Sequence, residues 1–152
     1  MKTIMFDSNI YDEITIVPAL VARIEQLTRA GKLCILTTHV QEDEINQIKN
    51  DVKKNAFMGL RTTRILTSGF ILDVSKLDAA CLDGGPAIEV IQGPTKSHSK
   101  DALIGNTAMR TADILVTNDK RLYKKTKELS TACTVMTGEE FEQYLFSTKD
   151  LD

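Results

Sequence analysis

Acidic side chains stand just after apolar runs or at the start of helices beside them, at four separated points of the chain. Asp7 follows TIMF (3–6) directly. Thr37 and Thr38 close LCILTT (33–38), and Glu42, Asp43 and Glu44 fall in the first turns of the helix that follows. Asp101 opens a helix leading into DILVT (113–117), and Asn118 and Asp119 come straight after that run. Carboxylates gathered in one pocket raise one another's pKa values unless a cation compensates. Oxygen donors without useful histidine or cysteine partners select hard ions, Mg²⁺ or Mn²⁺, rather than zinc. A carboxylate cage around one or two such ions hydrolyses phosphodiesters by activating water and stabilising charge at the attacked phosphate. It requires no separate base, which suits a chain whose histidines are His39 and His98.

Each acid also has a plainer use. Acidic residues in first helical turns favour the helix dipole, so Asp101 alone reads as a helix start. Asp7 alone reads as a turn former and Asp119 as a cap. At least two of Glu42, Asp43 and Glu44 are ordinary solvated charges. The coincidence of all four positions at one edge is what points to a site.

The elements that must bring them together can be read from the apolar pattern. TIMF is a strand stopped by DSN, a turn signal. Residues 17–30 carry Val17, Leu20, Val21, Ile24 and Leu27 at helical spacing, with Pro18 in the first turn and Gly31 as the stop. LCILTT is a buried strand, and 39–54 reads as one helix with an imperfect apolar stripe. Residues 56–68 read as helix or loop. FILDV (70–74) is expected as a strand and 75–82 as a short helix capped by Ser75. The stretch 83–99 reads as a long irregular loop in which IEVI can pair as an edge strand. Helix 100–112, strand 113–117, a basic helix 120–129, strand 132–137 and a closing helix from 139 to about 146 complete the chain. Strands alternating with amphipathic helices predict an α/β three-layer sandwich, with a mostly parallel central sheet and helices on both faces. In such folds chemistry gathers at the carboxyl ends of strands.

Length and composition set the outer bounds. The 152 residues predict one domain, 1–146, with 147–152 as a tail. A net charge of -2 gives no general case for nucleic acid or anionic membrane, although a local basic patch can act inside an acidic protein. Cys34, Cys81 and Cys133 form no CxxC. Cys34 and Cys133 lie in apolar runs, so buried reduced thiols and a cytoplasmic location are expected. MKTIMFD is unlike a leader, and no stretch approaches the roughly 18 apolar residues of a membrane span.

Three segments, in this order and spacing, resemble the PIN-domain nucleases, which include the toxins of toxin–antitoxin pairs. IMFDSN is similar to the family's opening strand with its Asp, small residue and Asn. ILTTHVQEDEI is similar to its second strand, a Ser or Thr, and then a Glu on a helix before an aliphatic residue. KDALIGNTAMRTADILVTND is similar to its Asp-initiated, small-residue helix and the strand ending in Thr-x-Asp. The resemblance runs from residue 3 to about 137 and implies a PIN-like fold and a metal-dependent endoribonuclease. Position by position it implies Asp7, Glu44, Asp101 and Asp119 as the catalytic, metal-binding set. Glu44 is preferred to Glu42 because it lies six residues beyond Thr38 and directly before Ile45. Asn9 and Thr117 match polar positions that orient the carboxylates by hydrogen bonding. Gly105, Ala108 and Ala112, on one face with Asp101, are expected to let that helix lie close against the sheet. About 50 residues separate the Glu helix from Asp101, and the loop 83–99 departs from a compact member of the family. Lys96 and His98 within it are phosphate contacts or plain loop polarity.

KRLYKKTK puts Lys120, Lys124 and Lys127 on one helical face beside Asp119, where they can hold a nucleic-acid backbone. Tyr123 is a stacking aromatic or core. Lys49, Lys53, Lys54, Arg61 and Arg64 form a second basic set that reads as a solvated face. The family resemblance implies an RNA substrate, a homodimer and an antitoxin partner; AFMGLRTTRIL is a partner surface or core. Two other functions compete. A noncatalytic PIN-like scaffold binding RNA or protein normally lacks some of these acids. A phosphate-transfer or receiver-type domain wants an acidic pair after the first strand and a lysine at a later strand end, and DSN and TND supply neither cleanly.

Overall fold

The computed structural model describes residues 1–81, 87–94 and 96–148, with the side chains of Val52, Lys53, Ala56, Phe57 and Lys96 outside that description. In chain order the elements are β1 (Lys2–Phe6), α1 (Ile10–Ile14), α2 (Pro18–Arg29), β2 (Leu33–Thr37), α3 (His39–Asn46), α4 (Asp51–Gly59), β3 (Thr62–Arg64), β4 (Thr67–Ser68), β5 (Ala80–Cys81), α5 (Ala87–Gln92), a 3₁₀ turn (Lys96–His98), α6 (Ser99–Thr111), β6 (Ile114–Val116), α7 (Lys120–Leu129), β7 (Thr134–Met136) and α8 (Gly138–Ser147). Part of the 83–99 segment and the end of the 147–152 tail thus lie outside the described residues.

Five strands pair in the order β3-β2-β1-β6-β7, all parallel. Strand side chains alternate between faces, and the core divides accordingly. Ile4, Phe6, Ile35, Ile114 and Val116 face one way, into a cluster with Ile10, Tyr11 and Ile14 of α1, Leu20, Ile24 and Leu27 of α2, and Phe141 and Leu145 of α8. Met5, Leu36, Leu115 and Val135 face the other way, onto Val40 of α3 and apolar residues of α5, α6 and α7. This is the expected α/β three-layer sandwich with helices on both faces.

The strand order reverses between β2 and β6 around β1. Open parallel sheets bind ligands outside the carboxyl ends of strands at such a switch point. Register decides which residues meet there. Phe6 is level with Val116, and Met5 with Leu36. Asp7, Thr38 and Thr117 are therefore the next residues out at one rim.

The middle of the chain departs from expectation. No strand forms over 70–74; the segment is a turn in which Asp73 has φ 70° and the Ile71 amide donates to Ser75 Oγ at 2.9 Å. Ser75 thus closes a turn instead of capping a helix, and 80–81 pair in parallel with 67–68 as a small second sheet. Gly69 has φ 107°, a conformation that favours glycine. IEVI lies in helix α5, not an edge strand, because Ile88 and Ile91 share one buried face three residues apart. The helix expected over 39–54 is broken between Asn46 and Asp51. Cys133 is buried, Cys34 half-buried and Cys81 exposed, all as free thiols. Among the described residues no helix is long and apolar enough to cross a membrane.

Gly105 also has a different role from the one expected. A Cβ there would stand 3.0 Å from side-chain atoms of Ile91 and Leu122 and 3.2 Å from Thr126 Oγ1. The small residue seats α6 against α5 and α7, while Ala108 and Ala112 belong to the cluster against the sheet.

Phe141 is fully buried, edge-on to Phe6 with ring centroids 5.3 Å apart. Phe141→Ala is expected to lower the unfolding free energy by about 3–5 kcal/mol, read by urea denaturation.

Candidate active site

Four chain segments reach the rim, each for a local reason. β1 delivers Asp7: its amide donates to Val116 O at 2.9 Å, continuing the parallel ladder one residue beyond the strand. β6 ends in Thr117, whose hydroxyl donates to Asp7 Oδ2 at 2.9 Å and accepts from the Asp119 amide at 3.1 Å. One buried hydroxyl thereby fixes both the Asp7 carboxylate and the turn carrying Asp119. Asp119 in turn caps α7, accepting from the Leu122 amide at 2.7 Å through Oδ1.

Helix α3 is anchored to the same rim by Gln41. Its Oε1 accepts from the Thr38 amide and hydroxyl, each at 2.7 Å, and its Nε2 donates to Phe6 O at 2.6 Å. Glu44, three residues later, shares the face of Gln41 and accepts from the Ser8 hydroxyl. Glu42 and Asp43 turn elsewhere, to Arg64 at 3.4 Å and Lys76 at 2.7 Å. Of the three neighbouring acids, Glu44 is the one that lines the cleft. Asp101 enters from the first turn of α6, with Oδ2 3.2 Å from His98 Nδ1.

The cleft has a volume of about 270 Å³ and is lined by Asp7, Ser8, Asn9, Glu44, Lys100 and Asp101, with Asp12, Ile45, Gln47 and Ile48 around them. Asn9 is exposed on this wall, and its side chain makes no cap for α1; of the two residues expected to orient the carboxylates, Thr117 is the one with a hydrogen bond to Asp7. Asp119 lies beside the cleft, near enough for its charge to act on Asp101.

Electrostatics tie the acids together. Burial pushes the Asp7 carboxyl up to about 6, the Thr117 hydrogen bond opposes this, and the charges of Asp101 and Glu44 add to the rise. Burial also raises Asp101; the His98 hydrogen bond opposes it, and Asp119 and Glu44 add to it. A nearly water-free carboxylate with acidic neighbours is a group in want of a positive charge. By donor chemistry, the hard oxygens of Asp7, Glu44, Asp101 and Asp119 fit Mg²⁺ or Mn²⁺. Among the described residues, however, no three His, Cys, Asp or Glu side chains are drawn together as a finished metal cage. Glu44 and Asp101 are each engaged by a basic side chain instead.

Lys100 and Ser8 are the residues that sequence reasoning missed. Lys100 Nζ lies 3.1 Å from Glu44 Oε1. Its adjacency to Asp101 was the available signal, since a lysine in a first turn opposes the helix dipole.

The basic helix is partly committed to structure. Arg121 donates to the carbonyls of Ile91 and Gln92, fastening the end of α5. Lys124 pairs with Glu128 at 4.0 Å, and Lys127 lies 5.1 Å above the Tyr123 ring. Lys120 is exposed at the helix start, one residue from Asp119. His98 is placed by its contact with Asp101, while the Lys96 and Lys53 side chains lie outside the described residues.

Comparison with protein-family models and with curated proteins returns no match for this chain.

The raised Asp7 pKa has a definite sign. Below pH 3.8 both states hold the proton; between 3.8 and about 6 the unfolded chain releases it and the fold retains it, so stability falls as pH rises. In ion-free protein, Asp7→Asn is therefore expected to be more stable than wild type at pH 7, on the order of 1–3 kcal/mol. The gain shrinks toward about pH 4, which urea denaturation across pH measures directly.

Proposed function

We propose that the protein is a Mg²⁺- or Mn²⁺-dependent endoribonuclease of the PIN-domain type, a hydrolase of RNA phosphodiester bonds. The observation that carries the reading is Asp7. It is a carboxylate only 4% exposed, set at the sheet's switch point, hydrogen-bonded by Thr117 and crowded by the charges of Asp101 and Glu44. The similarity of IMFDSN, ILTTHVQEDEI and KDALIGNTAMRTADILVTND to that family's segments supports it independently.

In this reading Asp7, Glu44, Asp101 and Asp119 hold the ion, and Thr117 keeps Asp7 and the Asp119 turn in place. When bound, the ion supplies water activation and charge stabilisation at the phosphate. Lys120 is the best placed of the α7 lysines to touch an RNA backbone, with Lys124 and Lys127 further along. A cytoplasmic toxin role with an antitoxin partner and a homodimer fits the same family resemblance, as does RNA maturation or decay.

One observation favours a second reading. The pairing of Glu44 with Lys100 and Asp101 with His98 suits a noncatalytic scaffold binding RNA or protein through this cleft.

Incubation of a structured RNA mixture with EDTA, Mg²⁺ or Mn²⁺ separates the two. Metal-dependent cleavage is expected, lost in folded Asp7→Asn and Asp101→Asn. Thr117→Val is expected to retain about one-tenth to one-hundredth of the rate, the usual effect of removing a ligand's hydrogen-bonding support. Wild type that neither cuts nor binds either ion would leave the scaffold.

A further inference from the structure

The cleft contains a cation of its own. Lys100 stands in the first turn of α6, between the buried Ser99 and Asp101. A helix N-terminus carries partial positive charge, so a lysine there is opposed by the dipole. Departures from a local rule concentrate at functional sites, where something else compensates. Here the compensation is visible: the ammonium lies 3.1 Å from Glu44 Oε1 and lines the same cleft as Asp7 and Asp101. The other Glu44 carboxylate oxygen, Oε2, accepts from Ser8, so each oxygen of this carboxylate already has a partner. Two other ion pairs from α3, Glu42 with Arg64 and Asp43 with Lys76, lie outside the cleft.

We infer that Lys100 is the resident counter-cation of the acidic cleft and competes with a divalent ion for Glu44. The inference rests on the metal-site reading above and adds its regulation. A divalent ion entering between Asp7 and Asp101 meets one carboxylate already neutralised. Binding then requires the Lys100 ammonium to leave Glu44, and the loss of the ammonium's positive charge from the cleft favours the ion. The lysine thereby weakens the site for a divalent ion relative to a cleft without it. The displaced lysine, about half-exposed on its α6 turn, swings toward solvent at the mouth of the cleft.

The test is direct Mn²⁺ affinity, by calorimetry and by electron paramagnetic resonance of free Mn²⁺, without RNA. Wild type is compared with Lys100→Met and Lys100→Arg. Lys76→Met serves as control, because it removes the same charge from an equivalent α3 pair outside the cleft. Lys100→Met is expected to bind Mn²⁺ roughly fivefold to twentyfold more tightly, since a like charge at contact distance has been removed. Lys100→Arg stays near wild type, and Lys76→Met changes affinity less than about twofold, as distant exposed charges are screened. Circular dichroism melts establish that each variant is folded.

Equal affinity in wild type and folded Lys100→Met overturns the inference and leaves the metal site standing. Weaker binding in Lys100→Met also overturns it, making Lys100 a support for Glu44. If wild type and Lys100→Met both fail to bind Mn²⁺, the inference and the metal-site reading fall together. Should Lys100→Met unfold, Lys100→Gln offers the same comparison with a polar side chain.

Discussion

The cleft depends on one buried negative charge. Asp7 is carried by β1 into a position almost without water, and the surroundings of that carboxylate answer to it. Thr117 donates to it, Gln41 fastens α3 to the Phe6 carbonyl just before it, and the neighbouring acids have partners of their own. An ionised carboxylate out of water is costly unless hydrogen-bonded and compensated. The fold keeps it there because the parallel register of β1 and β6 leaves the residue after Phe6 no other place to go. Stability is given up at this point and recovered in two apolar clusters, one on each face of the sheet.

The polar contacts around Asp7 form a hierarchy. Backbone pairing sets the depth of Asp7 and Thr117. Side chains that join two elements, Gln41 between α3 and β1 and Thr117 between Asp7 and the Asp119 turn, set orientation. The contacts of Glu44 with Lys100 and of Asp101 with His98 come last and are the easiest to rearrange, being partly exposed. Rigidity and adjustability are thus segregated within a few ångströms: the buried acid is fixed and its neighbours can exchange partners.

The sheet and its rim were legible because apolar runs of strand length, separated by helical spacing, leave little choice of layer or order. TIMF ends at Phe6 as β1 does, while β2 and β6 stop one residue inside LCILTT and DILVT, at Thr37 and Val116, which leaves Asp7, Thr38 and Thr117 together at the rim. The centre of the chain was not legible. FILDV has strand composition, but Gly69 and Asp73 take positive φ and the segment turns back on Ser75. IEVI is equally apolar in either periodicity, and packing against α6 makes it helical. The spacing from Thr38 and the following Ile45 favoured Glu44 over Glu42, while the partners that turn Glu42 and Asp43 away, Arg64 and Lys76, are tertiary and no local pattern reveals them. Lys100 carried a local signal, a lysine in a first helical turn, but its partner Glu44 is far away in sequence.

The hydrogen bond from Thr117 to Asp7 joins residues 110 positions apart. With every strand of the main sheet parallel, no short hairpin can bring these two ends of the site together ahead of the rest. A chain still emerging from its ribosome therefore carries Asp7 without the threonine that steadies it, and fragments ending before β6 lack that support altogether. This support for Asp7 exists only once β6 has come to lie beside β1.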